Sequence, residues 1–171
     1  MEICIRNNWV SLKGSSEVKT LDGKDLYKVK GKFFSVTRKK FLQTLDGELI
    51  YTIRNKYWSF FNKKAYVLNP DGSVAALLNR KYFSVHDRYR INSKYGELEI
   101  IGNILCFNYK ILSNGVEIGH VARKISMRDS FVLTISENAD VAFYIALVVA
   151  IDNITDRRED SEIEVNDIPI A

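Results

Sequence analysis

His86 and His120 are the first side chains to weigh for proton transfer, because imidazole ordinarily titrates near neutral pH. His86 stands in Val85-His86-Asp87-Arg88 beside a turn, and His120 in Gly119-His120-Val121 within a strand-like run. Serines are plentiful, but no G-x-S-x-G elbow presents one as a nucleophile. No P-loop and no G-x-G-x-x-G segment offers backbone N–H groups to a nucleotide. Cys4 and Cys106 belong to no C-x-x-C or Cys/His cluster, so they read as two reduced, buried thiols and not as zinc ligands. Glu137, Asp140 and Asp152 flank an apolar segment and have the oxygen chemistry of calcium ligands, but no EF-hand loop exists and helix capping accounts for Asp140. No catalytic residue, metal site or cofactor is expected.

What remains is electrostatic. The basic clusters Arg38-Lys39-Lys40, Lys63-Lys64 and Arg80-Lys81, with Arg88 and Arg90 nearby, fall at predicted strand ends or turns. Long cationic side chains there reach solvent, and two clusters on neighbouring hairpins would hold a phosphate. The net charge of +4 is unevenly spread. Residues 156–171 hold two Arg and six Asp or Glu, which leaves residues 1–155 with 23 basic and 15 acidic groups. Such a body is drawn to anionic surfaces, phospholipid or nucleic acid. The alternative is that lysines keep a strand-rich surface soluble and its edges unsticky.

The elements that must position these clusters are hairpins. Gly23, Gly47, Gly72, Gly96 and Gly115 recur at steps of 24, 25, 24 and 19 residues. Three follow Asp and Gly115 follows Asn, the pairs that supply positive φ in tight turns. Nine Tyr, nine Phe and only two Pro favour strands. Six residues past the first three glycines come Val29, Ile53 and Leu78. Lys-aromatic-aromatic-Ser follows in three copies: Lys32-Phe33-Phe34-Ser35, Lys56-Tyr57-Trp58-Ser59 and Lys81-Tyr82-Phe83-Ser84. Degenerate copies stand at Leu105-Cys106-Phe107 and Lys124-Ile125-Ser126. Repetition at the hairpin period favours a structural role for these blocks over a membrane or base-stacking role. With a leading strand around Ile3–Leu12, the pattern predicts ten to twelve strands, and closure into a barrel removes exposed edges.

From Asn138 to Ile154 the pattern changes to a helix, apolar on all faces, with Asn138 able to cap its start and Asp140 favoured by its dipole. The apolar stretch Val141 to Ile151 is 11 residues, and a bilayer crossing takes about 20. A wide barrel needs its lumen filled, so this helix is expected inside it. Residues 156–171 form an acidic tail, loosely ordered at first, with Ile163–Ile168 able to add to an edge.

From about Leu12 to about Arg158 these residues resemble the LURP-one-related family, whose members adopt the tubby C-terminal fold. The most specific parts are the Lys-aromatic-aromatic-Ser blocks, the run Val121-Ala122-Arg123-Lys124-Ile125-Ser126-Met127-Arg128-Asp129-Ser130-Phe131, and the helix ending Ala150-Ile151-Asp152-Asn153. The likeness is greatest to small bacterial members. It implies a twelve-stranded barrel around a hydrophobic helix. Tubby proteins bind phosphoinositide head groups through basic residues, and the related phospholipid scramblases respond to calcium. Most LURP-one-related proteins have no assigned activity.

The resulting expectation is one mainly-β domain over residues 1–155, with about twelve antiparallel strands built from hairpin repeats, a central helix at 138–154 and a tail at 156–171. The expected function is a non-enzymatic binding module for anionic phospholipid head groups, held by Arg38, Lys39, Lys40, Lys63, Lys64, Arg80 and Lys81. Rival readings are a structural or protein-interaction domain, with a protein partner in place of a small ligand, and nucleic-acid binding, which the sequence favours less. The N-terminal residues Met1–Arg6 lack a basic region followed by an apolar run, so no signal peptide is expected and the location is cytoplasmic.

Overall fold

The computed structural model describes residues 1–6, 15–31, 39–56, 64–81, 87–104, 106, 108–123 and 130–166. The turn glycines act as the spacing predicts. Gly23, Gly47, Gly72, Gly96 and Gly115 all have positive φ, between 79° and 95°. Each closes a hairpin, and together the hairpins give β1 (Glu2–Arg6), β2 (Ser15–Thr20), β3 (Asp25–Gly31), β4 (Lys40–Gln43), β5 (Leu49–Asn55), β6 (Lys64–Leu68), β7 (Val74–Lys81), β8 (Asp87–Ser93), β9 (Gly96–Asn103), β10 (Asn108–Ser113), β11 (Val116–Arg123) and β12 (Ser130–Ile135). Every strand pairs antiparallel with its neighbours in sequence, and β1 pairs with β12 to close the barrel. At that seam the Met1 ammonium donates to the Ile135 carbonyl at 2.9 Å.

The register shifts just before the turn in β2, β4, β6 and β10, at Val18/Lys19, Leu42/Gln43, Val67/Leu68 and Ile111/Leu112. Such irregularities add bend and twist, which a curling sheet needs. Strand alternation turns one face inward. Val29, Ile53 and Leu78, at equivalent repeat positions, are fully buried. Cys4 lies between inward Ile3 and Ile5, so it is half-buried on the outside, and Cys106 is exposed; both are free thiols, not the buried pair expected. The leading strand ends at Arg6, and residues 7–12 of its predicted span lie outside the described residues, as do most of the Lys-aromatic-aromatic-Ser blocks.

Twelve strands tilted about 40° make a wall roughly 24 Å across between backbones. Inward side chains from both sides leave about 12 Å, the diameter of a helix with its side chains. Helix α1 (Val141–Asn166) fills that space. Phe143 and every residue from Ile145 to Ile154 are 1% exposed or less, so the wall surrounds the helix on all sides. Burying each Phe, Leu, Ile or Val there stabilises the fold by about 1.5–3 kcal/mol.

The helix starts three residues later than predicted. Asp140, not Asn138, is the cap: its Oδ1 accepts the backbone N–H of Phe143 at 3.0 Å. The helix also runs past 154 to Asn166, because the sequence after Thr155 holds neither Gly nor Pro until Pro169 and is rich in Glu and Arg. The expected edge strand at Ile163–Ile168 is therefore helical as far as Asn166. Among the described residues no helix is long and apolar enough to cross a membrane.

Gly102 tests the close packing of the wall. Its φ is +148°, and an added Cβ would lie 2.5 Å from the Asn108 carbonyl oxygen and 2.7 Å from the Tyr109 Cα. Gly102→Ala is expected to destabilise the barrel by about 1–3 kcal/mol or more, through strain that only backbone movement relieves. Urea denaturation checks this, and an unchanged midpoint would refute the account.

Candidate functional site

A meander of antiparallel strands has two rims. The turns β2–β3, β4–β5, β6–β7, β8–β9 and β10–β11 lie at one, where α1 enters. The connections from odd to even strands lie at the other, the long-loop rim. Each rim has its own chemistry.

The long-loop rim is closed from inside by polar groups. The buried polar residues among those described are Lys40, Asn55, Ser130, Asp152 and Asn153. Lys40 begins β4, Asn55 ends β5 and Ser130 begins β12, so all three strand positions belong to this rim. Lys40 Nζ donates to Asp152 Oδ2 at 2.8 Å, with both side chains at most 9% exposed. Asn55 Nδ2 donates to the Asn153 carbonyl at 3.0 Å. These bonds fix how far the helix descends, since sliding it one turn would carry a carboxylate into the apolar lumen at a cost of several kcal/mol. Tyr109, 1% exposed, sits close enough for Asp152 to act on it. Burial first, and that negative charge second, push its phenol well above the usual range.

The predicted head-group residues divide on this rim. Lys40 is not available to a ligand: alternation turns it inward, and its ammonium neutralises Asp152. Lys39, Lys64 and Arg80 are half-buried at the ends of β4, β6 and β7; Arg80, paired with the buried Tyr89 and two residues from Leu78, is at the mouth of the barrel on its inward face, and Lys81 is the last residue of β7. Arg38 and Lys63 lie outside the described residues. Arg54, Lys56, Arg88 and Arg123 stand at further strand ends of the same rim, with Asp87 at the start of β8. The sequence clusters therefore converge on one end of the barrel. Beyond it α1 carries Asp156, Glu159, Asp160, Glu162 and Glu164 along its continuing chain.

The tight-turn rim has the opposite sign. Asp22, Asp46, Glu48, Asp71 and Glu137 stand in its turns, with Lys24 and Lys94 beside them, the Lys28 ammonium at the Leu45 carbonyl and the Met1 ammonium at the seam. Lys94 is engaged. Its Nζ donates to the Tyr51 hydroxyl at 2.9 Å and to Asp140 Oδ2 at 3.1 Å, and the Tyr95 hydroxyl donates to the same oxygen at 2.8 Å. The rings of Tyr95, Tyr51 and Phe143 surround the ammonium, with centroids at 4.9, 5.5 and 5.6 Å. The Tyr51 hydroxyl, then Asp140 and Tyr95, hold the ammonium well above its usual range against partial burial. Partial burial pushes the Asp140 carboxyl up, but the Phe143 N–H, the Tyr95 hydroxyl and Lys94 outweigh it and hold it below the ordinary carboxylate range. Sequence reading found the cap and missed the cage, because Tyr51, Lys94 and Phe143 are far apart in the chain.

His120 sits on the outer wall in β11, its Nε2 3.2 Å from Asn108 Oδ1, and His86 lies outside the described residues. Of Glu137, Asp140 and Asp152, the last two are at opposite rims of the barrel, each in contact with a lysine.

Comparison with known proteins agrees with this architecture. A family model described as LURP-one-related matches residues 1–152. The X-ray structure of an Arabidopsis thaliana protein superposes with a TM-score of 0.64 at 18% identity, covering 90% of each chain. That likeness speaks for the fold. No curated protein matches the sequence.

Both ends of the helix give measurable expectations. Asp152→Ala leaves Lys40 without its carboxylate and is expected to cost about 3–5 kcal/mol, while Lys40→Met with Asp152→Leu recovers most of the loss. Equal losses in the single and double variants, read by urea denaturation, would show that the ion pair does not carry the effect. Asp140→Asn should cost about 1 kcal/mol at neutral pH. The folded-state pKa of Asp140 is depressed, so its contribution is present above the unfolded value of about 3.9 and disappears as pH falls through the folded value. The melting-temperature difference between wild type and Asp140→Asn is therefore expected to narrow below about pH 4.

Proposed function

This chain belongs to the LURP-one-related family, and from that premise we propose that it is a non-enzymatic binding module whose long-loop rim takes an anionic ligand, a phosphorylated lipid head group. The observation that carries this reading is the gathering of Lys39, Lys64, Arg80 and Lys81 at the ends of β4, β6 and β7 on one rim. Two successive hairpins, β4–β5 and β6–β7, then bring cations to one end of the barrel, which is what a multiply charged phosphate group requires. Arg38 and Lys63 adjoin this set in sequence. Lys40 is no longer part of it, being committed to Asp152. Anionic lipids face the cytoplasm, so a cytoplasmic location suits this ligand. Family membership and fold do not by themselves assign an activity.

Co-sedimentation of the full chain with phosphatidylcholine vesicles, with and without phosphatidylserine or a phosphoinositide, tests the reading. Binding is expected only with anionic lipid and is expected to weaken as salt rises. Lys39→Gln, Lys64→Gln and Arg80→Gln should each reduce it roughly fivefold, the effect of about 1 kcal/mol per charge. Absence of binding at low salt would sink the proposal, and tighter binding to an RNA oligonucleotide would transfer the rim to nucleic acid.

A further inference from the structure

The tight-turn rim carries a second feature that folding does not require. The large hydrophobic residues exposed among those described are Met1, Leu21, Leu45, Val74, Tyr95 and Val116, at 37–65% exposure. All six lie at this rim: one at each of the five tight turns or the first residue after it, and Met1 beside β12 at the seam. The described wall and long-loop rim contribute none. Single exposed apolar side chains are ordinary, but hairpin turns are normally polar, and an exposed apolar residue at each of the five tight turns is not. Leu21 and Leu45 occupy the same place in the repeat, in Thr20-Leu21-Asp22-Gly23 and Thr44-Leu45-Asp46-Gly47, where the turn geometry asks only for Asp-Gly. The barrel is already closed and α1 already fills it, so Leu21, Leu45, Val74 and Val116 serve neither core nor edge, while Tyr95 also holds Asp140 and Met1 also closes the seam.

We propose that this rim is a docking face for a protein segment carrying lysine or arginine around apolar anchors. Neighbouring turns lie two strands apart, about 10–12 Å, which suits several shallow anchors in place of one pocket. The choice of partner follows from charge. Asp46, Glu48 and Glu137 stand between the apolar tips. Asp22 and Asp71 join them, held below the ordinary carboxylate range by the hydroxyls of Thr20 and Ser73. Lys94 is already paired with Asp140, and the five carboxylates exceed the remaining cations of the rim, Lys24, Lys28 and the Met1 ammonium. An anionic membrane would be repelled by this ring of carboxylates, whereas a basic protein surface would be drawn to it. The face is separate from the long-loop rim, so the inference does not depend on lipid binding there.

The test is fluorescence anisotropy of the full chain with three labelled synthetic peptides of equal length: one alternating Lys and Leu, one alternating Lys and Ser, and one alternating Glu and Leu. The Lys/Leu peptide is expected to bind at least about tenfold more tightly than either other peptide. Combined Leu21→Ser, Leu45→Ser and Val116→Ser substitution should remove that preference, as should combined Asp46→Asn, Glu48→Gln and Glu137→Gln. The single Val116→Ser variant, at the most exposed site, guards against a fold defect in the triple variants. Lys39→Gln and Lys64→Gln should leave peptide binding unchanged. The proposal is overturned if Lys/Ser and Lys/Leu bind equally, or if the apolar-to-Ser variants melt and bind like wild type. It is also overturned if sedimentation velocity shows self-association that those variants abolish, because the occupant would then be a second copy of this chain.

Discussion

The constraint on which the structure depends is the width of a twelve-stranded wall. A sheet of this many strands closes around more space than its own side chains fill, and an empty lumen would forfeit the contacts that hold the barrel together. Helix α1 answers that need with residues such as Phe143, Ile145, Leu147 and Ile151, which have no solvent-facing side. Neither part is stable alone, since the helix is too apolar for water and the wall has no core without it. Its depth is then set by the ion pair between Lys40 and Asp152, supported by Asn55. An apolar cylinder in an apolar lumen would otherwise have little reason to stop at one position.

The same topology sorts the surface. In an antiparallel meander every second connection falls at the same end, so a sequence that repeats by hairpins delivers its turn residues to one rim and its longer connections to the other. Asp-Gly turns make one rim acidic, and the lysines and arginines that start and finish strands make the other basic. On the wall between, charges meet in exposed pairs such as Arg90 with Glu97 and Lys110 with Glu117, which contribute little to stability. The net charge of +4 thus conceals an uneven distribution, with acidic turns at one rim and basic strand ends beside the acidic continuation of α1 at the other.

LURP-one-related membership fits this division of labour. The elements that make the barrel and its filling helix lie within the matched residues 1–152, together with both rims. The helix beyond Asp152 continues past that span with an acidic sequence. The fold is therefore a stable support on which two chemically distinct surfaces are displayed, with no convergent catalytic set among the described residues.

The sequence by itself determined the repeat, the turns, closure and the lumenal helix. Asp-Gly or Asn-Gly at a fixed period has one good backbone solution, and a helix apolar on all faces has one good environment. Those are local or compositional facts, legible residue by residue. Tertiary structure decided the rest. Lys39 and Lys40 are adjacent in sequence, yet the one-residue alternation of a strand turns Lys40 into the barrel, where only Asp152, 112 residues away, explains it. The convergence of Lys39, Lys64 and Arg80, the cage around Lys94 and the apolar tips of one rim likewise join residues whose sequence neighbours give no hint of contact. Period and composition are written along the chain, but which end of a closed barrel a residue reaches, and what faces it there, exists only once the first and last strands have paired.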